Sequence, residues 1–153
     1  MTSVSYEEIF AYFLGNVRDY DIAGLKHSDA LPILTEYLHK TMANIYIRTL
    51  FSTIEFDDDD GEFSFEMDFV VDDSSDKNFV INLLGKAMVI EWLTNRVNDL
   101  ALVVQMVGSD KSRTFYSQAN HLNELRSLLE DTRNSVNKLI TDRNAFYNSY
   151  IIG

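Results

Sequence analysis

Residues 122–150 have the sequence LNELRSLLEDTRNSVNKLITDRNAFYNSY, and this stretch decides the fold class because its period is the steadiest in the chain. Bulky side chains recur at alternating steps of three and four residues over about four heptads, which is the spacing of one face of an α-helix. Two of these positions, Thr132 and Arg143, are polar, which argues against a free-standing coiled coil. The stretch therefore predicts a long helix within a bundle. The seam consists of Leu122, Leu125, Leu129, Thr132, Val136, Leu139, Arg143, Phe146 and Tyr150.

Two shorter helices are predicted near the start of the chain. Ser5 and Glu8 have the spacing of a capping box, and the apolar residues after them predict a helix over residues 5–15. Ser28 or Asp29 is positioned to cap a second helix. The predicted apolar face of that second helix consists of Leu31, Leu34, Leu38, Met42 and Ile45.

Another helix is predicted over residues 79–107, between the two short helices and the long helix at the end of the chain. Apolar side chains occur on most of its sides. A helix without a polar face is usually buried, so we expect this one at the centre of the bundle. The candidates for its N-cap are Ser74, Ser75 and Asp76.

Between the second short helix and the helix at residues 79–107, apolar residues recur at every second position instead of every third or fourth. Apolar residues alternate over residues 63–71, which predicts a strand with one buried face. Its partner strand is predicted around Leu50, Ile54 and Phe56, and the acidic connection between the two includes Gly61. We therefore predict an acidic β-hairpin inserted at about residues 50–72, with strands that project from the helical body.

The expected fold class is mainly α: a small helical bundle with an inserted acidic β-hairpin. The chain has 153 residues and shows no internal repeat, low-complexity tract or proline-rich linker. Its length is close to that of one domain. The sequence therefore predicts a single helical domain over residues 1–153.

Negative charge is concentrated in one part of the chain. Of the 24 acidic residues, eleven lie between Glu55 and Asp76, where there is no Lys or Arg, and the remaining 13 acids match the 13 bases in number. The net charge of −11 therefore belongs to the hairpin region, which should repel nucleic-acid phosphate. Direct DNA binding is disfavoured. The acidic hairpin tip is predicted to consist of Asp57, Asp58, Asp59, Asp60 and Glu62.

The patterns of metal sites are incomplete in this sequence. In an EF-hand loop Gly61 would be the sixth residue, which places Phe56 first and Met67 twelfth, where the site needs acidic ligands. Glu36 and His39 have the Glu-x-x-His spacing of di-metal carboxylate bundles, but the second such pair is missing. We expect no metal site and no cofactor.

Signals of catalysis, secretion and membrane insertion are missing as well. The chain has no cysteine, no Gly-x-Ser-x-Gly elbow and no complete phosphate-binding loop. No window approaches 18 uninterrupted apolar residues, and the first thirty residues lack the pattern of a signal peptide. We therefore expect a soluble, non-enzymatic protein without catalytic residues and without a membrane partner.

The end of the chain is rich in apolar and aromatic residues, whereas chain ends are usually polar and frayed. Such a segment either folds back onto the bundle or docks into a groove on a partner. The candidate docking residues are Phe146, Tyr147, Tyr150, Ile151 and Ile152.

Several short segments resemble a structural protein family of tailed bacteriophages, the adaptor or head-completion proteins of the head-to-tail connector. The resemblance covers roughly residues 79–150, about half of the chain, and none of the segments is a catalytic fingerprint. It depends on Glu91-Trp92-Leu93, Phe115-Tyr116-Ser117-Gln118-Ala119, His121-Leu122, Glu124-Leu125 and Tyr147 to Tyr150.

This resemblance implies a virion protein, assembled in the host bacterial cytoplasm, that forms a ring in the phage neck, commonly of twelve copies. Its implied partners are other copies of itself, the portal protein, a downstream neck or tail protein, and DNA that passes through without specific binding. The alternative from another class is a small acidic inhibitor that mimics DNA and occupies a nucleic-acid-binding enzyme. The concentration of acids in one region, instead of along the whole chain, favours the connector.

Overall fold

The structure, a computed structural model, describes residues 1–17, 27–107 and 113–152, and within these ranges it leaves out the side chains of residues 27, 28, 103, 106, 107, 113–116 and 150–152. The described part is mainly helical and contains a three-stranded antiparallel sheet, so the predicted fold class is confirmed. In chain order the elements are β1 (Thr2–Ser5), α1 (Tyr6–Asn16), α2 (His27–Thr41), α3 (Ile45–Arg48), β2 (Phe51–Asp57), β3 (Glu62–Met67), α4 (Asp73–Val107) and α5 (Arg113–Ile152).

Helix α4 lies at the centre, as predicted. It packs against α1, α2, α5 and β1. A helix with neighbours on several sides can bury apolar residues around most of its circumference, which explains why the sequence of α4 has no polar face. Its fully buried side chains include Val80, Leu83, Leu84, Met88 and Leu93.

The predicted N-caps of α4 are wrong by two to four residues. The helix begins at Asp73, and the carboxylate of Asp72 accepts hydrogen bonds from the backbone N–H of Ser75 at 2.7 Å and from its hydroxyl at 3.0 Å. Asp72 therefore satisfies free N–H groups at the start of the helix, which is the role of an N-cap. Ser74 and Asp76, the other predicted caps, lie inside the first turn.

Helix α5 packs along α4 through the predicted seam. Leu122, Leu129 and Val136 are buried, while near the C-terminal end Ile140 is buried and Leu139 only partly so. A straight α-helix has 3.6 residues per turn, so a seam defined at 3.5 residues per turn drifts around the helix. This drift explains the shift from Leu139 to Ile140.

Helices α1 and α2 pack against α4. The capping box of Ser5 and Glu8 is present in both directions at the start of α1. The apolar face predicted for α2 is only partly correct, because Leu34 and Leu38 are buried but Ile45 is 67% exposed. Helix α2 ends before Ile45, and Asn44 caps the short helix α3 instead, which turns Ile45 outward.

The sheet has the strand order β1-β3-β2. Strand β1 was not predicted, and it pairs with β3 from Thr2 opposite Phe65 to Ser5 opposite Glu62. The predicted projection of the hairpin from the helical body is wrong, because Phe63 and Phe65 of β3 are fully buried. They belong to the same cluster of buried side chains as the core residues of all the long helices. That residues 1–153 form one domain stays a prediction.

Candidate functional site

The acidic turn, residues 57–61 between β2 and β3, closes through its own polar groups. The N–H of Gly61 donates to the carbonyl of Asp57 at 2.8 Å, and the N–H of Asp60 donates to the Asp57 carboxylate at 3.0 Å. Gly61 has a φ of 67°, in the left-handed region that glycine tolerates best. The carbonyl of Gly61 accepts from the N–H of Tyr6 at 2.8 Å, so the turn is also tied to the start of α1.

Asp58 connects the acidic turn to two helices. Its carboxylate accepts a hydrogen bond from the phenol of Tyr6 on α1 at 2.5 Å. The same carboxylate lies 2.8 Å and 3.1 Å from Nε2 of His39 in the last turn of α2. The turn therefore lies against the helical body instead of extending freely into solvent.

These contacts change the acid–base properties of the cluster formed by Asp58, Tyr6 and His39. The hydrogen bond from Tyr6, followed by the one from His39, lowers the pKa of the Asp58 carboxyl below its usual range. Burial, followed by the hydrogen bond to Asp58, raises the pKa of the Tyr6 phenol far above its usual range. The Asp58 side chain is still 54% exposed, so its hydrogen bonds, and not burial, lower this pKa.

Aromatic rings support the cluster from the core side. The His39 ring lies 4.4 Å from the ring of Phe56, which stacks on Phe63 at 4.7 Å between ring centroids. Phe63 in turn stacks on Phe65 at 5.4 Å. The site of Asp58 is thus built on side chains that also form the sheet core.

Four of the other hairpin acids lie on the outer face of the sheet. Since alternate residues of a strand point to opposite faces, the buried positions of Phe63 and Phe65 place their neighbours toward solvent. The pairing of Glu55 with Ser64, and of Asp57 with Glu62, brings two strands of polar residues together on that face. We call it the open sheet face, and its exposed carboxylates are those of Glu55, Asp57, Glu62 and Glu66.

The structure separates the residues of the incomplete metal pattern. Glu36 pairs with Lys40 at 3.0 Å, whereas His39 faces Asp58. His121 and Glu124 are 4.0 Å apart on α5. Within residues 1–17, 27–107 and 113–152, no three His, Asp or Glu side chains are grouped so that they could hold a metal ion. No helix in the same ranges is long and apolar enough to cross a membrane.

The candidate docking residues have mixed placements. The Tyr147 ring lies 4.9 Å from the ring of Phe69, so this residue packs onto the segment that precedes α4. Phe146 also touches Phe69, at 5.7 Å, but it is 54% exposed. The backbone of α5 continues to Ile152, and the predicted docking side chains of Tyr150, Ile151 and Ile152 lie outside the described ones.

Two functional candidates were not predicted. Tyr6 has no sequence signal beyond its position after a helix cap, and the sequence pattern of His39 points only to Glu36. A third polar group, Arg143, interrupts the α5 seam, and the structure pairs it with Asp76 on α4. A cation in an apolar seam is a usable signal, since a buried charge needs a partner.

The segments of the connector resemblance lie on the two long helices. Trp92 and Leu93 are buried on α4, and Leu122 is buried on α5, while the side chains of Phe115 and Tyr116 lie outside the described ones. The described residues of the resemblance therefore include packing positions between α4 and α5. Comparison with protein-family models, with curated proteins and with solved structures finds no match for this chain.

Proposed function

We propose that this protein is a structural component of the head-to-tail connector of a tailed bacteriophage. In this proposal copies of the chain form a ring between the portal protein and the next neck or tail protein, and the ring leaves a passage for DNA. The observation that carries the proposal is the packed pair of α4 and α5, which holds every segment of the resemblance. The proposed role is assembly, and no residue is assigned to catalysis.

The open sheet face supports the passage of DNA in this proposal. Its four carboxylates point away from the helical core and are exposed together. A surface of one negative sign repels phosphate at distances up to about a Debye length, roughly 8 Å at physiological salt. If the ring turns this face inward, DNA slides past without adhering.

The end of α5 supports docking to the portal or to the next neck protein. Phe146 is more than half exposed, and Val70 and Val71, which follow its neighbour Phe69 in the chain, are exposed too. Exposed apolar side chains that are close together are typical of protein interfaces. The proposal therefore keeps Phe146 as a docking residue and gives Tyr147 a second role in the fold.

The alternative is a DNA-mimic inhibitor, and the open sheet face is the feature that favours it. The Cβ atoms of directly opposite residues on paired strands are about 5 Å apart, so the facing Asp57 and Glu62, with Glu55 and Glu66 on the same face, can present a compact negative surface to a basic protein groove. The alternative predicts a soluble complex with a nucleic-acid-binding enzyme, whereas the connector proposal predicts a permanent place in the virion.

Immunogold electron microscopy of purified particles tests the proposal. Antibodies against the chain should label the vertex between head and tail, and native mass measurement of the neck complex should contain the chain in several identical copies. Particles without the chain, together with recovery of the chain on a nucleic-acid-binding enzyme, would contradict the connector proposal and support the inhibitor.

A matched pair of variants on α5 tests the docking surface. Phe146→Ser should reduce incorporation into particles because it removes an exposed apolar contact. Leu128→Ser changes a residue on the same helix that is similarly exposed, at 47%, and should leave incorporation unchanged. Equal loss with both variants would show that incorporation follows general solubility and not docking at the end of α5.

A further inference from the structure

The contact between Asp58, Tyr6 and His39 joins three separate parts of the chain. Asp58 belongs to the acidic turn, Tyr6 is the first residue of α1, and His39 lies in the last turn of α2. Both partners approach the same carboxylate oxygen, Oδ1, and His39 approaches Oδ2 as well. One carboxylate of the turn therefore contacts both helices, in addition to the backbone bond between Tyr6 and Gly61.

We infer that Asp58, Tyr6 and His39 form a pH-sensitive latch, which holds the acidic turn on α1 and α2 and releases it in acid. The inference does not depend on the connector proposal. The closed state requires ionised Asp58, because its negative charge strengthens the hydrogen bonds that it accepts from both partners. Protonation of Asp58 removes the charge that strengthens these bonds and makes the carboxyl itself a donor.

The latch depends on pH through Asp58. Nε2 of His39 and the Tyr6 phenol both donate to the ionised carboxylate, and protonation of Asp58 weakens these bonds. Asp58 has a lowered pKa in the folded state, so the stability it contributes is present above the usual carboxyl range and is lost as the pH falls through that lowered pKa. The latch is therefore closed while Asp58 is ionised and open in strong acid.

The other charged groups around the latch are engaged elsewhere or belong to the turn. On α1, Glu8 accepts from the N–H of Ser5 at 3.1 Å. On α2, Glu36 and Lys40 pair with each other. The negative charge of Asp57 adds to that of Asp58 in raising the pKa of the Tyr6 phenol. None of these groups replaces Asp58 as the acceptor that Tyr6 and His39 share.

Release of the latch would loosen a defined set of contacts. The N–H of Tyr6 donates to the carbonyl of Gly61, and the N–H of Gly61 closes the turn on Asp57. These two amides report the closed state, while the amide of the fully buried Leu84 in α4 reports the stability of the whole fold. The latch predicts that the first two can change while the third does not.

Amide hydrogen exchange of the full chain, measured by NMR as protection factors, tests the latch. At pH 6, Asp58→Asn should lower the protection of the Tyr6 and Gly61 amides about two- to fivefold, the range expected for a partly exposed pair, and leave Leu84 unchanged. The matched control is Asp59→Asn, a neighbouring exposed carboxyl of the same turn, which should change none of the three amides. Equal effects of the two variants would overturn the inference.

Titration of the side-chain carboxyls gives a second measurement. Carbon-detected NMR should place the midpoint of Asp58 below that of Asp59, and both Tyr6→Phe and His39→Gln should move the Asp58 midpoint upward. An Asp58 midpoint equal to that of Asp59 would show that no latch forms.

Discussion

The guanidinium of Arg143 on α5 lies 2.8 Å from the carboxylate of Asp76 on α4, with side chains that are 10% and 3% exposed. Arg143 also donates to the carbonyl of Phe69 at 2.7 Å and lies over the ring of Phe79 at 4.7 Å. This ion pair joins the first turn of α4 to the last third of α5. It also explains the charged residue in the apolar seam, because the charge is compensated inside the protein.

The first prediction concerns Arg143→Met, which leaves Asp76 buried without its cation. Breaking a buried ion pair from one side typically costs 3–5 kcal/mol, so we expect the free energy of unfolding to fall by about 3 kcal/mol. Urea unfolding followed by circular dichroism measures this change. Arg133→Met, at an exposed position of α5, is the control and should change the free energy of unfolding little.

The double variant Asp76→Leu with Arg143→Met distinguishes the cost of an unpaired carboxylate from the cost of lost packing. It removes both charges, so it should lose less stability than Arg143→Met alone. If the double variant were the less stable of the two, the cost would come from lost packing and not from an unpaired carboxylate.

A second prediction concerns the contact of Gly85 on α4 with Tyr12 on α1. A Cβ built at Gly85 would lie 3.2 Å from Cγ and 3.3 Å from Cβ of Tyr12, and closer still to its Cδ1. Gly85→Ala should therefore destabilise the protein by about 1–3 kcal/mol, although alanine normally favours a helix over glycine. Thermal unfolding measures the effect, and Tyr12→Ala in the same chain should reverse most of it. Stabilisation by Gly85→Ala alone would show that α1 can move away at no cost.

The third prediction distinguishes the N-caps of α4. Asp72→Ala should lower the melting temperature, whereas Ser74→Ala should not, because the carboxylate of Asp72 accepts the bonds from Ser75. The bonds from Ser75, the backbone N–H first, lower the pKa of Asp72. Its contribution is therefore present above the usual carboxyl range and disappears as the pH falls through the lowered pKa. The difference between Asp72→Ala and the parent protein should vanish in strong acid; a difference that persists there would contradict the cap.

The fourth prediction tests the acidic lining proposed for the DNA passage. Asp57 helps to close the turn, so on the open sheet face the substitutions belong at Glu55 and Glu66. Gln at both positions should leave folding and particle infectivity unchanged. Lys at both positions should create contacts with phosphate that slow DNA ejection, and raising the salt concentration should relieve the delay. Normal ejection by the Lys variant at low salt would place the open sheet face away from the passage.

The fifth prediction concerns the end of α5. Tyr147→Ala should lower the free energy of unfolding by about 1–2 kcal/mol, because the ring packs edge-on against Phe69. A chain that ends at Ser149 keeps this contact and should unfold at nearly the same denaturant concentration as the full chain. Loss of attachment to particles by that shortened chain, without loss of stability, would assign residues 150–153 to docking. A large loss of stability would assign them to the fold.

The sequence was sufficient for the elements with local periodic patterns. The α5 seam, the capping box at Ser5 and the alternation in β3 are all set by residues close together in the chain. Strand β1 was not predictable in this way, since it has four residues and only Val4 of them is buried. Its existence depends on pairing with β3, which is distant in the chain.

The latch was hidden for a related reason. Four consecutive aspartates are chemically identical in the sequence, and only the direction of the chain through the turn decides that Asp58 meets Tyr6 and His39. The sequence indicates one member of the Arg143–Asp76 pair, because Arg143 interrupts an apolar seam. The identity of its partner still required the packing of α5 on α4.

The strand order β1-β3-β2 has a consequence for the order in which the chain folds. Strands β2 and β3 are joined by a short turn and can pair within microseconds, whereas β1 must close a loop of about sixty residues before it meets β3. Such distant pairings slow folding, so β1 should add late, and substitutions at Val4 should speed unfolding more than they slow folding. During synthesis on the ribosome, residues 2–5 have no strand to pair with until β3 has emerged. Three of these four side chains are polar, so the unpaired segment exposes little apolar surface in the meantime.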